Sequence, residues 1–365
     1  MTAPDAAAAA IAAVAARLPA YASLADRGAA VEVVGGGVTN FLLKLTPVDP
    51  SLPPVALRTY GDRTELLIDR RAEVKALRRL NALGFGAPLL ASFHAGRIEA
   101  YLPARPLTPD EAGGGEVAAR IAAGAARLHA ALRLPSLTRP TLWSTIKRWT
   151  ALGRRLTAEA GIPPAVDLAA VDAAAARLKA ALAPLASPTV FCHMDLLAGN
   201  ILVAEDGADL GETGPGGGLQ FIDFEYGRPA PRGFDLGNHW CEYGGLEGDW
   251  GKYPGLEART AWAAAYLKAA AAATNAPPPT DAAIRALELE GDAYSLAAHI
   301  FWTAWAVVQA VVSGVDFDYS SYAASRLAEH QRRAAGVLAR LEDACGARVS
   351  RAWCCLGRGR RGEGP

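Results

Sequence analysis

Asp195, Asn200 and Asp223 constrain this 365-residue chain more tightly than any other feature. They stand in His193-Met194-Asp195-Leu196-Leu197-Ala198-Gly199-Asn200 and in Phe221-Ile222-Asp223-Phe224-Glu225, beside short apolar runs. Residues 201–203 and 219–222 are too short for helices, and the glycine-rich stretch 207–218 separates them, so they read as two strands joined by a loose hairpin loop. The chain must therefore hold a strand-like stretch, residues 190–224, inside a region whose pattern beyond Pro106 is otherwise long and helical.

The region before Pro106 is different. Residues 31–34 and 41–45 are apolar runs flanking Gly35-Gly36-Gly37-Val38-Thr39-Asn40, which predicts a hairpin with a glycine turn, and residues 55–60 give a third strand. Asp69 has the position of a helix N-cap, with Glu73 on the helix and Gly84 just past its end, and residues 91–102 supply two more strands around Ala95-Gly96. The expected architecture is α+β and bilobed, with a small strand-rich N-lobe over 31–105 and a large, mainly helical C-lobe over 106–342. An Ala-rich peripheral helix is expected within 1–30, and a disordered tail over 343–365, where Gly, Arg and polar residues dominate. Residues 296–312 are apolar, but His299, Thr303 and Gln309 interrupt them, so they read as a buried helix without stable membrane insertion.

Charge narrows the partners. Lys+Arg and Asp+Glu both number 37, so no global field recruits nucleic acid, and a small molecule is the expected partner. Five cysteines without a C-x-x-C pair argue against a disulfide framework or a zinc site. With no secretory signal pattern at the N-terminus, a cytoplasmic location is expected. The sequence leaves a homodimer open.

The three polar residues suit phosphoryl transfer. An Asp must accept the proton of the attacking hydroxyl, an Asn must hold a magnesium ion, and a second Asp must bridge metal to phosphates; four residues separate Asp195 from Asn200, the spacing of the kinase catalytic loop. Glycines at 35–37 would let backbone amides approach phosphates, although a plain tight hairpin has the same look. Arg58 on the third strand could pair with Glu73 and anchor phosphates, a surface Arg being the alternative. Trp302 and Trp305 share a helix face and could attract an alkylammonium, or could be core residues.

With these motifs in order, the chain resembles the choline/ethanolamine kinase family, relatives of the aminoglycoside phosphotransferases within the protein-kinase-like fold. The resemblance spans about 31–330 and rests on Gly36-Gly37-Val38-Thr39-Asn40, Leu57-Arg58-Thr59-Tyr60-Gly61, Phe191-Cys192-His193-Met194-Asp195-Leu196-Leu197, Ile222-Asp223-Phe224-Glu225-Tyr226, Asp235-Leu236-Gly237-Asn238-His239-Trp240 and Asp316-Phe317-Asp318-Tyr319. It implies ATP and Mg2+ as cofactors and Asp195 as catalytic base. It further implies Asn200, Asp223 and Glu225 as metal ligands, and a nucleotide site of Gly36, Gly37, Thr39, Asn40, Arg58, Glu73 and the hinge at Tyr101. The acceptor pocket would comprise Glu242, Trp302, Trp305 and Tyr322. The implied reaction phosphorylates the hydroxyl of an amino alcohol. Residues 61–70, 247–250 and 253–254 look like ethanolamine-kinase versions of those segments, which makes phosphoethanolamine, the first step towards phosphatidylethanolamine, the expected product. Choline kinase, an aminoglycoside-type phosphotransferase and a silent pseudokinase are the competing readings. One departure stands out: Met194 occupies a position where the family usually has Asn.

Overall fold

Asp69 caps a helix as its position in the sequence requires: its side chain accepts from the amides of Arg71 and Ala72, which the first turn would otherwise leave unpaired. The computed structural model of the chain describes residues 3–34, 40–132, 141–204 and 218–356. Helices α1 (Ala3–Ala15) and α2 (Leu24–Arg27) lead into strands β1 (Ala29–Val34), β2 (Asn40–Pro47) and β3 (Val55–Tyr60). Helix α3 (Arg70–Asn81) follows, then β4 (Leu89–Phe93) and β5 (Gly96–Ala100). The five strands form one antiparallel sheet in the order β1-β2-β3-β5-β4, with Arg58 directly opposite Arg97. Residues 35–39, with Gly36, Gly37 and Thr39, lie outside the described residues, as does the insert except for Gly218.

Two boundaries differ from expectation. The N-terminal segment is not peripheral: Ala10, Val14, Tyr21 and Leu24 are buried with Leu43, Leu45, Val55, Leu57 and Ile98, so α1 and α2 complete the N-lobe core. Small alanine side chains let a helix poor in large apolar residues approach a sheet closely. At the other end the last helix is longer than the ordered region expected from sequence. Helix α11 begins at Tyr319 and its backbone continues to Leu356, through Gly346, since one helical glycine costs only about 1 kcal/mol relative to alanine. Residues 357–365 lie outside the described residues.

The C-lobe opens with β6 (Ala104–Pro106), α4 (Pro109–Gly113), α5 (Gly115–Ala131), α6 (Leu142–Ala160) and α7 (Leu168–Leu182). Next come β7 (Thr189–Cys192), β8 (Ile201–Ala204), β9 (Leu219–Phe221) and β10 (Arg228–Pro231), then α8 (Arg232–Cys241), α9 (Leu256–Thr274) and α10 (Asp281–Val312). Strands β6, β8 and β9 form a small antiparallel sheet, and β7 pairs with β10. The apolar stretch that resembled a membrane span is the spine of this lobe, because every residue of α10 from Leu287 to Gln309 is buried. Helix α8 packs against it almost backbone to backbone. A Cβ at Gly237 would come within 2.4 Å of Gly291 O and Ser295 N, and one at Gly291 within 2.5 Å of the Trp240 ring. That contact fixes α8, and α8 in turn fixes the loop that follows β7.

Candidate active site

The loop after β7 is held from below. Asp235, on α8, accepts from the amides of His193 (2.6 Å) and Met194 (2.8 Å), while His129 Nε2 lies 3.0 Å from the same carboxylate. His193 Nε2 donates to Ile222 O at 2.9 Å, tying the loop to the chain just before Asp223. Asn200 donates from Nδ2 to Asp195 O (2.8 Å) and Oδ2 (3.2 Å), which leaves its Oδ1 for another partner. Met194 and Asp223 both adopt left-handed backbone conformations, with φ of 71° and 63°. Side chains other than glycine and asparagine rarely adopt this geometry, and it aims the two aspartates.

The two aspartates have opposite electrostatic settings. Burial, followed by the negative charges of Glu242, Asp223 and Glu225, pushes the Asp195 carboxyl well above the usual carboxylate range, against a smaller opposing effect of the Asn200 hydrogen bond. Burial acts in the same direction on Asp223, but the charges of Arg58 and Arg97 overcome it and hold that carboxyl below its ordinary value. One acid stays ionised while its neighbour is disposed to take up a proton.

Arg58 is buried and reaches Asp223 Oδ2 (3.1 Å) and Glu99 Oε2 (3.5 Å). The expected Arg58–Glu73 pair is not made. Glu73 instead binds Arg97 and, at 2.9 Å, Arg70, because Arg97 enters between them from β5 and Arg70 lies one turn earlier on α3. Arg70 is a hub between the lobes: it also donates to Glu225 Oε2 (2.9 Å), Asn40 Oδ1 (3.1 Å) and Thr64 Oγ1 (2.9 Å), and Asn40 Nδ2 donates to the same Glu225 oxygen at 2.8 Å. Asn40 thus meets Glu225 and Arg70, and one oxygen of Glu225, Oε2, is shared between them.

Two cavities meet at Asp195's neighbours. A cleft of about 180 Å³ between the lobes is lined by Asn40, Arg58, Tyr101, Leu102, Asn200 and Asp223, with the Tyr101 ring beneath the Lys44 ammonium at 4.8 Å. A cavity of about 450 Å³ holds Asp195, Glu242, Trp302, Trp305 and Tyr322, and shares Gly199, Asn200 and Asp223 with the cleft. Every acceptor residue expected from the sequence is therefore in one place, beside Asp195. The tryptophans direct their N–H groups away, Trp302 to Asn238 (2.7 Å) and Trp305 to Tyr226 OH (2.8 Å), and their rings cross edge to face at 5.3 Å. Glu242 is not a lone acid. Its Oε1 is 2.7 Å from the fully buried Arg326, which also donates to Tyr322 OH at 2.9 Å, so Oε2 is the oxygen left for a ligand.

The donor set fits a hard divalent cation. Asp223 Oδ1 is buried and has no hydrogen-bond partner, and ligand atoms of Glu73, Asp223 and Glu225 lie within 4.8 Å of one another. Oxygen donors of this kind, with Asn200 at hand, suit magnesium.

The choline/ethanolamine kinase family model matches residues 31–331. The chain belongs to that family. An Arabidopsis thaliana relative named "probable ethanolamine kinase" is 32% identical over 322 residues, covering 86% of this chain and 82% of its own. The structure of an ethanolamine kinase from Plasmodium vivax superposes with a TM-score of 0.73 at 23% identity, covering 85% of this chain and 86% of that one. A choline kinase from Cryptosporidium parvum also gives 0.73, at 20% identity over 91% and 96% of the two chains. Both share the protein-kinase-like fold.

Within this family member, the sequence reading passed over three residues that matter. Tyr226 lines the acceptor cavity and packs edge to face on Trp302 at 5.4 Å; its position directly after Asp223-Phe224-Glu225 was the available signal. Arg97 carries no motif, and only the cross-strand register opposite Arg58 reveals it. Arg326 is one helical turn beyond Tyr322 and could have been found as its i+4 neighbour.

Proposed function

We propose that this chain transfers the γ-phosphoryl group of ATP to the hydroxyl of ethanolamine, forming phosphoethanolamine and ADP. The observation that carries the reading is the junction of the two cavities: a cleft suited to a nucleotide and an aromatic, acid-bearing chamber share Asn200 and Asp223, with Asp195 beside both residues. Asp195 takes the hydroxyl proton as the substrate oxygen bonds to phosphorus, and the bond from phosphorus to the ADP oxygen breaks. Arg58, with its permanent charge, exchanges Asp223 for phosphate oxygens. Magnesium, held by Asn200 and Asp223, supplies neutralisation of phosphate charge when bound. The ammonium end of the substrate lies against Trp302, Trp305, Tyr226 and Tyr322 and donates to Glu242 Oε2.

Ethanolamine is supported by the name of the 32% identical relative and by the acid in the chamber, since a primary ammonium has N–H groups to satisfy. Choline is the second reading, favoured by the aromatic walls, which need no N–H donor from the ligand. Coupled ADP-release assays with ethanolamine, its N-methylated series and choline decide between them. The highest kcat/KM is expected for ethanolamine with a decline at each methylation; a rise towards choline reverses the assignment.

A further inference from the structure

We propose that a third cavity, walled by α3, α6 and β10, is a binding site for a phosphate-group anion. It has a volume of about 500 Å³, shares only Glu225 with the acceptor cavity and shares no residue with the nucleotide cleft. At its back is Arg228, which is partly buried beneath the rings of Trp149 (5.6 Å) and Phe301 (5.9 Å). Among the described residues its donors meet only neutral acceptors, Tyr226 O at 2.8 Å and Thr145 Oγ1 at 2.9 Å. Among the described residues no carboxylate touches it, and the Asp69 carboxylate in the same wall acts on it only at a distance, an unusual setting for an enclosed guanidinium. Burial first, then the charge of Arg148, lowers this guanidinium to about 10.

At the rim are Lys75, Arg79 and Arg148, all exposed, and none forms an ion pair among the described residues. Of the acids in the same wall, Glu73 binds Arg70 and Arg97 and Glu225 accepts from Arg70 and Asn40, while Asp69 caps α3 through two amides and leaves one negative charge against four positive ones. The chain as a whole carries equal numbers of acidic and basic residues, so this excess is local. Four cations around one cavity, three of them guanidinium forks, with the hydroxyls of Thr141 and Ser144 beside them, match the several oxygens and double charge of a phosphate group. Because Lys75 and Arg79 belong to the N-lobe helix and Arg148 and Arg228 to the C-lobe, an occupant bridges the lobes behind the Arg70 network.

The full chain, saturated with ADP to fill the nucleotide cleft, is titrated calorimetrically with inorganic phosphate and with glycerol 2-phosphate, against sodium chloride at matched ionic strength. Saturable one-to-one binding is expected, weakened at least tenfold in the Arg79→Gln/Arg148→Gln double variant and unchanged within twofold in Arg177→Gln, an exposed arginine elsewhere. Tighter binding of inorganic phosphate assigns the site to the free anion, and tighter binding of glycerol 2-phosphate to a phosphomonoester. The proposal is overturned by no saturable binding of either probe, by equal loss in the double variant and in Arg177→Gln, or by a double variant that binds as wild type.

Discussion

The nucleotide cleft and the acceptor cavity share a boundary but differ in how their charges are matched. In the cleft Asp223 lies against Arg58 and Glu99 meets Arg97, so each acid has a cation. In the acceptor cavity the Asp195 carboxylate accepts, among the described residues, only from the amide of Asn200, and the leading charge near it is that of Glu242. Matched charge holds phosphates and metal without moving protons, whereas unmatched negative charge makes a proton acceptor. The contrast is sharpest at Asp195 and Asp223. Asp195→Asn should lower kcat by about 10²–10⁴, the usual contribution of a general base, with ATP affinity retained. Asp223→Asn should lower kcat and also weaken magnesium-dependent nucleotide binding. Equilibrium ADP binding with and without magnesium checks both, and similar nucleotide affinities in the two variants would erase the distinction between the regions.

The acceptor side contains one matched pair, Glu242 and Arg326, and it is more deeply buried than Asp223 and Arg58. Glu242→Gln strands a guanidinium in the core, and breaking a buried pair costs about 3–5 kcal/mol, so a marked fall in Tm is expected. Glu242→Gln with Arg326→Met removes both charges and should recover most of that loss. Selectivity is read in the double variant: ethanolamine should lose more in kcat/KM than choline, because the primary ammonium exchanges a charged acceptor for a neutral amide oxygen. Equal losses would give Glu242 a purely structural role.

What was legible in the sequence follows the range of the interaction. Motif spacing and helical periodicity are local, so Asp195, Asn200, the Asp69 cap and the paired faces of Trp302 and Trp305 could be read directly. Ion pairing crosses strands and lobes. Glu73 took Arg97 in place of Arg58 because two arginines stand opposite in the β3–β5 register, a fact that no window of sequence contains. The resemblance implied Glu242 as an acceptor residue but not its partner, because Arg326 lies on a helix that joins it only through tertiary packing. The loss of detail is therefore greatest where charge matters most.

Aromatic walls give a smaller effect with the opposite bias. Trp302→Leu and Trp305→Leu keep apolar bulk but remove a cation-attracting face worth about 0.5–2 kcal/mol, so kcat/KM should fall about two- to thirtyfold, and more for choline than for ethanolamine. Leu also leaves Asn238 Oδ1 or Tyr226 OH without its indole donor. Trp302→Phe and Trp305→Phe leave the same gap while keeping a π-face, so recovery of choline turnover in the Phe variants separates the two causes.

The smallest expected effect lies in the pH profile and tests the unmatched charge itself. Asp195 must be ionised to accept a proton, so kcat/KM should rise as pH increases through its pKa, and burial and the neighbouring acids place that limb above the range of an ordinary carboxylate. Asp223 sits below its ordinary value and remains ionised throughout, so it adds no limb in the same window. Glu242 is the leading charge acting on Asp195. Neutralising it in Glu242→Gln removes a repulsion that disfavours ionisation and leaves the Arg326 cation unmatched nearby, and both changes favour the ionised base. The acid limb of kcat/KM should then move to lower pH, even though the variant is slower and less stable. Profiles of wild type, Glu242→Gln and the double variant, taken below their melting temperatures, measure the shift. Displacement should be greatest in Glu242→Gln and intermediate in the double variant, where the acid and the arginine are both gone. A limb that stays fixed in all three would mean that the proton leaves through a group other than Asp195.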